Sequence, residues 1–396
     1  MKILVLSPHY RFFVKGLTDS IAKYEKIEEI NVLVRHNYLS ELAPLVPISY
    51  SKFVENFRKK NLVSKSEYPE KVKVHVISTL YFIPDGRNLG LGDKLFKIFD
   101  RYIQKNRLEF DIIHAHFTWP QGYVAIKLGE KYGYPVVITG HGYDVYDLPF
   151  RSDKWFKLVQ LVLFKAKKII TVSKSNFEII VEKINIDSKK VFVIPNGFSG
   201  NFNIVDRFLT RKKLNLPTQK RILLNVANLV PVKGHKYLIE AMKIVSRKRD
   251  DAICVIVGDG PLKSELEKLT IKEGLEKRII FTGAKPHEEI PFWMNAADIF
   301  VLPSLSESFG VVQIEAMACG TPVVATINGG SEEIIISEDY GLLCKPGDAK
   351  DLAEKILIAL EKEWDREKIR KYAEQFTWDN IAKQVVRVYE EVLNEH

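Results

Sequence analysis

The pattern of apolar segments predicts an α/β protein with two doubly wound, mostly parallel sheets. Short runs rich in Val, Ile and Leu recur along the chain, with amphipathic stretches of helical period between them. The runs are apolar on both faces, as strands covered by helices on either side must be. The series breaks once, in residues 195–219, and then begins again. A chain of 396 residues also exceeds what one ordinary core supports, so two domains are expected.

In the first half the strand segments are KILVLS (2–7), INVLVR (30–35), KVHVIS (73–78), DIIHAH (111–116), PVVITGH (135–141), KIITVS (168–173) and VFVIPN (191–196). The break PNGFSGNFNIVDRFLTRKKLNLPTQ collects Gly, Asn and Pro and keeps no apolar period, which marks a linker. The second half repeats the scheme with ILLNVAN (222–228), AICVIVGDG (252–260), RIIFTG (278–283), IFVLPS (299–304), PVVATI (322–327) and GLLCKP (341–346). Domains are therefore expected at 1–200 and 201–377. The tail 378–396 carries an amphipathic helix, WDNIAKQVVRVYEEVL, with no strand after it. It is expected to fold back on the first domain.

Composition narrows the class. Hydrophobic residues make up 46% and charged residues 28%, as in a soluble globular chain. No apolar run reaches the roughly 18 residues needed to cross a bilayer, and the opening MKILVLSPHY has too short an apolar core and too early a proline for a signal peptide. The expected location is the cytoplasm. Cys254, Cys319 and Cys344 lie far apart in apolar segments and read as small buried hydrophobes, not as a disulfide framework or a zinc site. Of 59 Lys+Arg and 50 Asp+Glu, 31 and 20 fall in residues 1–200, leaving that half at +11 and the remainder at −2. A basic half suits an acidic partner, whether nucleic acid, phosphate-bearing substrate or anionic membrane; solvated helix faces account for it equally well. Within it, FRSDKWFKLVQLVLFKAKK (150–168) interleaves Trp155, Phe156, Leu158, Val159, Val162 and Leu163 with lysines. Such a stretch can lie on an anionic bilayer at the inner membrane face, or it can be a core-packed helix with a basic solvent face.

Ligands of parallel sheets gather at the carboxyl ends of the strands, near the point where strand order reverses. At those ends the first half offers His114 and His116, and His141 between Gly140 and Gly142. The spacing disfavours metal ligation, and the flanking glycines favour a ligand contact for His141. In the second half, ILLNVAN runs into LVPVKGHKYLIEAM. Lys233 beside a helix N-terminus is repelled by the dipole unless an anion lies between, so a phosphate site is one reading and a solvated turn lysine the other. Asn328, Gly329 and Gly330 precede EEIIIS, with Ser331 the expected cap, and paired glycines let N–H groups approach an oxyanion. The segment PSLSESFGVVQIEAMACGTP (303–322) places Glu307 in a Ser-rich turn and Glu315 inside an apolar helix that Gly320 and Pro322 stop. A helix so apolar has no structural need of a carboxylate, although an acid on a solvent face is the ordinary alternative. The chain has no Gly-x-x-x-x-Gly-Lys-Ser/Thr loop, no Gly-x-Gly-x-x-Gly after the first strand and no Asp-x-Asp triplet. P-loop nucleotidases and nicotinamide dehydrogenases are thereby disfavoured.

Taken together, LVPVKG (229–234), VGDGP (257–261), the Glu307-x7-Glu315 pair, ACGTPVVAT (318–326), NGGSEE (328–333), TGHGYD (139–144), TVSKSN (171–176) and IPNGF (194–198) resemble the retaining glycosyltransferases of family 4. The resemblance spans nearly the whole chain. It implies the GT-B fold, two Rossmann-like domains with a nucleotide-diphosphate sugar on the second, a saccharide or lipid-linked acceptor on the first, and reaction in the cleft. It implies transfer of a hexosyl group with retention, by front-face substitution in which the leaving phosphate helps deprotonate the acceptor, with neither metal nor other cofactor and no nucleic-acid partner. Carried over by position, Lys233 neutralises the diphosphate, N–H groups at Gly310 and Val311 donate to phosphate or sugar, and Glu315 accepts from the ribose hydroxyls. Glu307 orients the transferred sugar, His141 touches the same sugar, and Gly16, after the first strand, lets the backbone approach the diphosphate. Asn228 stands where the family commonly has an arginine on the diphosphate, which shifts charge to Lys233. Lys15, where the family often has a second glycine, is expected to supply some of the missing charge. The competing readings are a GT-B nucleotide-sugar epimerase and a basic polyanion-binding protein.

Overall fold

A computed structural model describes residues 1–45, 58–64, 67–82 and 85–396. They form two compact units, Met1–Gly197 with Trp378–His396, and Phe198–Thr377.

Unit 1 is built on seven parallel strands: β1 Lys2–Ser7, β2 Glu29–Asn37, β3 Val72–Thr79, β4 Ile112–His116, β5 Val136–Gly140, β6 Lys168–Thr171 and β7 Val191–Val193. Their order in the sheet is β3-β2-β1-β4-β5-β6-β7, so the winding reverses between β1 and β4. Alternation along β1 explains its continuous apolar run. Leu4 and Leu6 enter one core with Phe99, Ile113 and Ile138, while Ile3 and Val5 enter the other with Val14, Ile112 and Val137. This second core is closed by the helix Trp378–Asn394, which buries Ile381, Val385, Val388, Tyr389 and Val392 at helical spacing.

That helix changes the reading of Gly16. The residue lies inside the helix Phe12–Ile21, not in a loop after β1. A Cβ there would stand 2.2 Å from Nε1 of Trp378, so packing against the C-terminal helix requires the glycine. Lys15 is likewise committed: its ammonium bonds the Asp19 carboxylate and, at 2.9 Å, the Glu67 carbonyl. It is therefore not the spare charge expected for a diphosphate. The basic stretch 150–168 forms the helix Asp153–Lys165. Six of its apolar residues join or pack against a core, Trp155, Val159, Val162 and Leu163 buried, Phe156 and Leu158 partly so, while Leu161 and Phe164 are exposed. One apolar face of the helix is taken up by the fold, and its solvent side carries lysines together with these two residues.

Unit 2 repeats the plan with β8 Arg221–Val226, β9 Ala252–Val257, β10 Ile279–Gly283, β11 Ile299–Leu302, β12 Val323–Thr326 and β13 Gly341–Cys344. The order is β10-β9-β8-β11-β12-β13, reversing between β8 and β11. At the amino ends of those strands, buried Asp298 accepts from Ile222 N–H at 2.7 Å and pairs Arg211 at 2.7 Å and Arg207 at 2.9 Å. This clamps the helix Arg207–Lys213 to the sheet, leaving the carboxyl ends for chemistry. All three cysteines are free and buried. No helix is long and apolar enough to cross a membrane among the described residues.

Candidate active site

The switch point of unit 2 gathers the charged residues. Lys233 lies on the loop after β8 and Glu307 on the loop after β11, the two strands at which the winding reverses. Gly234 makes the approach possible: it sits at φ +67, and a Cβ there would lie 2.0 Å from the carbonyl oxygen of Pro303. The Lys233 ammonium meets Glu307 Oε1 at 2.6 Å, and Ser304 Oγ donates to the same oxygen at 2.7 Å. Glu307 N–H donates to Asn328 O at 2.9 Å, fixing the Ser-rich turn. Lys233 thus keeps two of its three N–H donors for another acceptor. It directly precedes the helix His235–Lys248, whose first N–H groups lie beside it. Asn228 is exposed on the same loop.

Glu315 is not on a solvent face. It lies in the helix Val311–Ala318, which Gly310 opens from the left-handed region at φ 89. The carboxylate is 5% exposed and takes His287 Nε2 at 3.0 Å. His287 sits after β10, and Glu315 holds its pKa above the usual imidazole value. No local motif points to His287; only the winding of β10 beside β9 and β8 brings it to the site. The paired glycines after β12 behave otherwise than expected. Asn328 Oδ1 accepts from Gly330 N at 3.2 Å and Ser331 N at 3.0 Å, and the Glu332 carboxylate accepts from Gly329 N at 2.9 Å. Ser331 is the first residue of the short helix Ser331–Ile334, Gly330 holds the cap position, and the Asn328 side chain supplies the acceptor. These N–H groups are already satisfied, so they are not an oxyanion cradle.

In unit 1 His141 follows β5 but is not left open by its glycines. Its ring packs on Phe13 at 4.4 Å and Phe117 at 4.7 Å between centroids, and its Nε2 lies 3.0 Å from His116 Nδ1. His114, two residues before His116 on β4, bonds Tyr389 Oη at 2.6 Å and Thr139 Oγ1 at 2.7 Å. Among the described residues no three His, Cys, Asp or Glu side chains are grouped to hold a metal; His116 and His141 are hydrogen-bonded to each other, and His114 packs its ring on His116. Burial pushes the pKa of both His114 and His141 down to about 3. The loop itself is set by Asp144, fully buried, whose carboxylate accepts from the N–H groups of Thr118 at 2.8 Å, His141 at 3.0 Å and Gly142 at 3.1 Å. Sequence reasoning passed over Asp144, although an aspartate three residues past a strand end is a recurrent way to close such a turn.

These features place the chain among sugar-transferring enzymes of the doubly wound class. Residues 206–376 match the family described as glycosyl transferases group 1, and residues 62–199 match glycosyltransferase family 4. An uncharacterized glycosyltransferase of Methanocaldococcus jannaschii is 32% identical over 73% of this chain and 79% of its own. The N-acetyl-alpha-D-glucosaminyl L-malate synthase of Bacillus anthracis is 28% identical over 85% of this chain and 87% of its own. Two solved structures share the fold. Sucrose-phosphate synthase from Thermosynechococcus elongatus has a TM-score of 0.78 at 24% identity, covering 100% of both chains. Anabaena HepE, in complex with UDP, has 0.74 at 22%, covering 99% of this chain and 100% of its own. The chain belongs to the family 4 (group 1) glycosyltransferases and has the GT-B fold.

Proposed function

We propose that this glycosyltransferase moves a hexosyl group from a nucleotide-diphosphate sugar, bound on unit 2, to a saccharide or lipid-linked acceptor bound on unit 1, with retention and without a metal. The observation that carries the reading is the Lys233–Glu307 pair at the β8/β11 switch point, with Glu315 on the helix that follows. Departure of a nucleoside diphosphate builds negative charge on its phosphate oxygens, and preorganised donors aimed there are usually the largest catalytic term. The two spare N–H groups of Lys233 and the backbone N–H groups opening the helix Val311–Ala318 are such donors. Glu315 takes the ribose hydroxyls, and His141 takes a hydroxyl of the sugar. Glu307, already held by an ammonium and a hydroxyl, is a weak nucleophile, which favours a positioning role over a glycosyl-enzyme intermediate. A UDP complex of one structural neighbour fits a nucleotide site on unit 2.

A panel of nucleotide sugars screened by thermal shift tests the donor, since a ligand at 100 times its Kd adds about 2.7 kcal/mol. Proton NMR of the product made with the stabilising donor then reads its anomeric configuration. Inversion, or a glycosyl adduct trapped on a carboxylate, sinks the mechanism; turnover of donor without any acceptor selects the epimerase reading instead.

A further inference from the structure

The loop after β1 in unit 1 holds polar groups that neither the fold nor the proposed donor site uses. His9 and Arg11 lie on it, at the switch point between β1 and β4, and Arg35 lies near the carboxyl end of the neighbouring β2. His9 Nδ1, Arg11 Nε and Arg35 Nε are buried nitrogens with no hydrogen-bond partner among the described residues, and His141 Nδ1, at the end of β5, is a fourth. A buried polar nitrogen without a partner is unfavourable, so four along one sheet edge mark a place where acceptor atoms are missing. Phe13 joins two of them, packing on His9 at 5.5 Å and on His141 at 4.4 Å, and the Arg11 and Arg35 charges both act on His9.

Charge says what kind of acceptor atoms belong there. The Arg35 guanidinium faces the Asp85 carboxylate through both terminal nitrogens and so is balanced. Arg11 makes no ion pair among the described residues; its guanidinium stands over the Phe12 ring at 5.1 Å. Asp19, on the same helix as Phe12, is spent on Lys15 and Tyr10. Burial and the Arg11 charge push His9 down to about 4, so it remains a neutral donor that does not repel Arg11. Phe12 itself holds the left-handed backbone at φ 49, a conformation unfavourable for an L-residue.

We propose that His9, Arg11 and Arg35 form an anion-binding subsite on unit 1 that selects an acceptor carrying a phosphate or carboxylate group. Arg11 supplies the unbalanced charge, His9 Nδ1–H and Arg35 Nε–H supply directed donors, and His141 borders the subsite through Phe13. The assignment to the acceptor rests on the reading that unit 2 takes the donor.

The test keeps the full chain saturated with UDP and measures binding by calorimetry of four probes: inorganic phosphate, glucose, glucose 6-phosphate and glucuronate. The subsite predicts that at least one anionic sugar binds about tenfold or more tighter than glucose, the phosphate and carboxylate arms deciding which group it prefers. Arg11→Gln should weaken that anion and inorganic phosphate by about ten- to a hundredfold, Arg11→Lys should restore part of it, and UDP affinity should not move. Equal binding of glucose and both anions, or phosphate binding undiminished in Arg11→Gln, overturns the subsite. A parallel fall in UDP affinity would give Arg11 to the donor and also overturn it. Failure of the wild-type chain to bind any nucleotide, with phosphate still lost on Arg11→Gln, would refute the donor reading and leave the subsite standing.

Discussion

The two sheets share one winding and put their strand ends to opposite electrostatic use. At the switch point of unit 2, ionised groups are held in pairs: Lys233 on Glu307, His287 on Glu315. At the edge of unit 1 buried histidines stay neutral, His114 and His116 each 1% exposed, beside the Arg35–Asp85 ion pair and an arginine, Arg11, with no ion pair among the described residues. The difference teaches that a common architecture fixes where a ligand goes and leaves the electrostatics to a few loop residues. Unit 2 is suited to charge that develops during reaction, and unit 1 to hydroxyl groups and a fixed anion.

The comparison breaks most readily at Lys233. Lys233→Ala removes the charge opposite a leaving diphosphate and leaves Glu307, with a side chain 10% exposed, without its cation. Loss of one such transition-state donor costs about 3–4 kcal/mol, so kcat should fall about 10²- to 10³-fold. Steady-state kinetics with the donor identified by thermal shift would show it; a fall below tenfold would mean that the charged half is not where catalysis is concentrated.

In unit 1 the corresponding weak point is neutral geometry. Asp144→Asn keeps the size of a fully buried side chain but replaces a carboxylate oxygen that accepts from His141 and Gly142. Hydrogen bonds to a charged group contribute about 1.5–3 kcal/mol, so urea unfolding should show a loss of about 2–3 kcal/mol. Hydrogen exchange should place the loosening in residues 117–147. An unchanged midpoint would show that the turn does not depend on the charge.

Acidification should separate the units further. Burial leaves His114 with a pKa of about 3 and His116 well below the ordinary 6.5. Because the unfolded chain binds these protons and the folded one does not, their contribution is present above pH 6.5 and is lost as pH falls. Between pH 7 and 5 His114 costs about 2 kcal/mol, and His116 acts in the same direction. In unit 2 His235 is depressed to about 4, which works in the same direction, but raised His287 works against it. Peptide-level hydrogen exchange at the two pH values should show more protection lost from unit 1; equal losses would contradict the contrast.

Much of this was legible in the sequence because apolar, β-branched runs report burial on both faces directly. All thirteen predicted strand segments form strands, most losing residues at their ends to loops. Lys233, Glu307 and Glu315 were legible for a related reason: each interrupts a strong local pattern, a helix start, a Ser-rich turn or an apolar helix. What escaped depends on contacts made across the fold. Gly16 serves a tryptophan 362 positions later in the chain, the cap position of the helix after β12 is Gly330 and not Ser331, with Asn328 as the side-chain acceptor, and Lys15 is neutralised by its own helix through Asp19. Bilayer and core both accept the pattern of residues 150–168; the three-dimensional neighbours of Trp155 and Val159 put one face in the core, and Leu161 and Phe164 stay exposed.

The smallest effect tests the contrast between histidines most directly. His287 differs from those of unit 1 because a carboxylate, Glu315, outweighs its burial and holds its pKa above the ordinary value. Its interaction with Glu315 is therefore strongest below pH 6.5 and is lost as pH rises through the folded pKa. Glu315→Gln keeps an acceptor oxygen in nearly the same shape but removes the charge. Burial then acts on His287 against the Glu288 charge only, and its pKa, read from the imidazole Cε1–H resonance, should fall from its raised value. The same substitution should weaken UDP by only about 1 kcal/mol, roughly fivefold, since the amide oxygen still accepts from one ribose hydroxyl. A His287 resonance whose titration is unmoved by Glu315→Gln would mean that the pair is not charged, and the opposition between an ionised unit 2 and a neutral unit 1 would then rest on Lys233 and Glu307 alone.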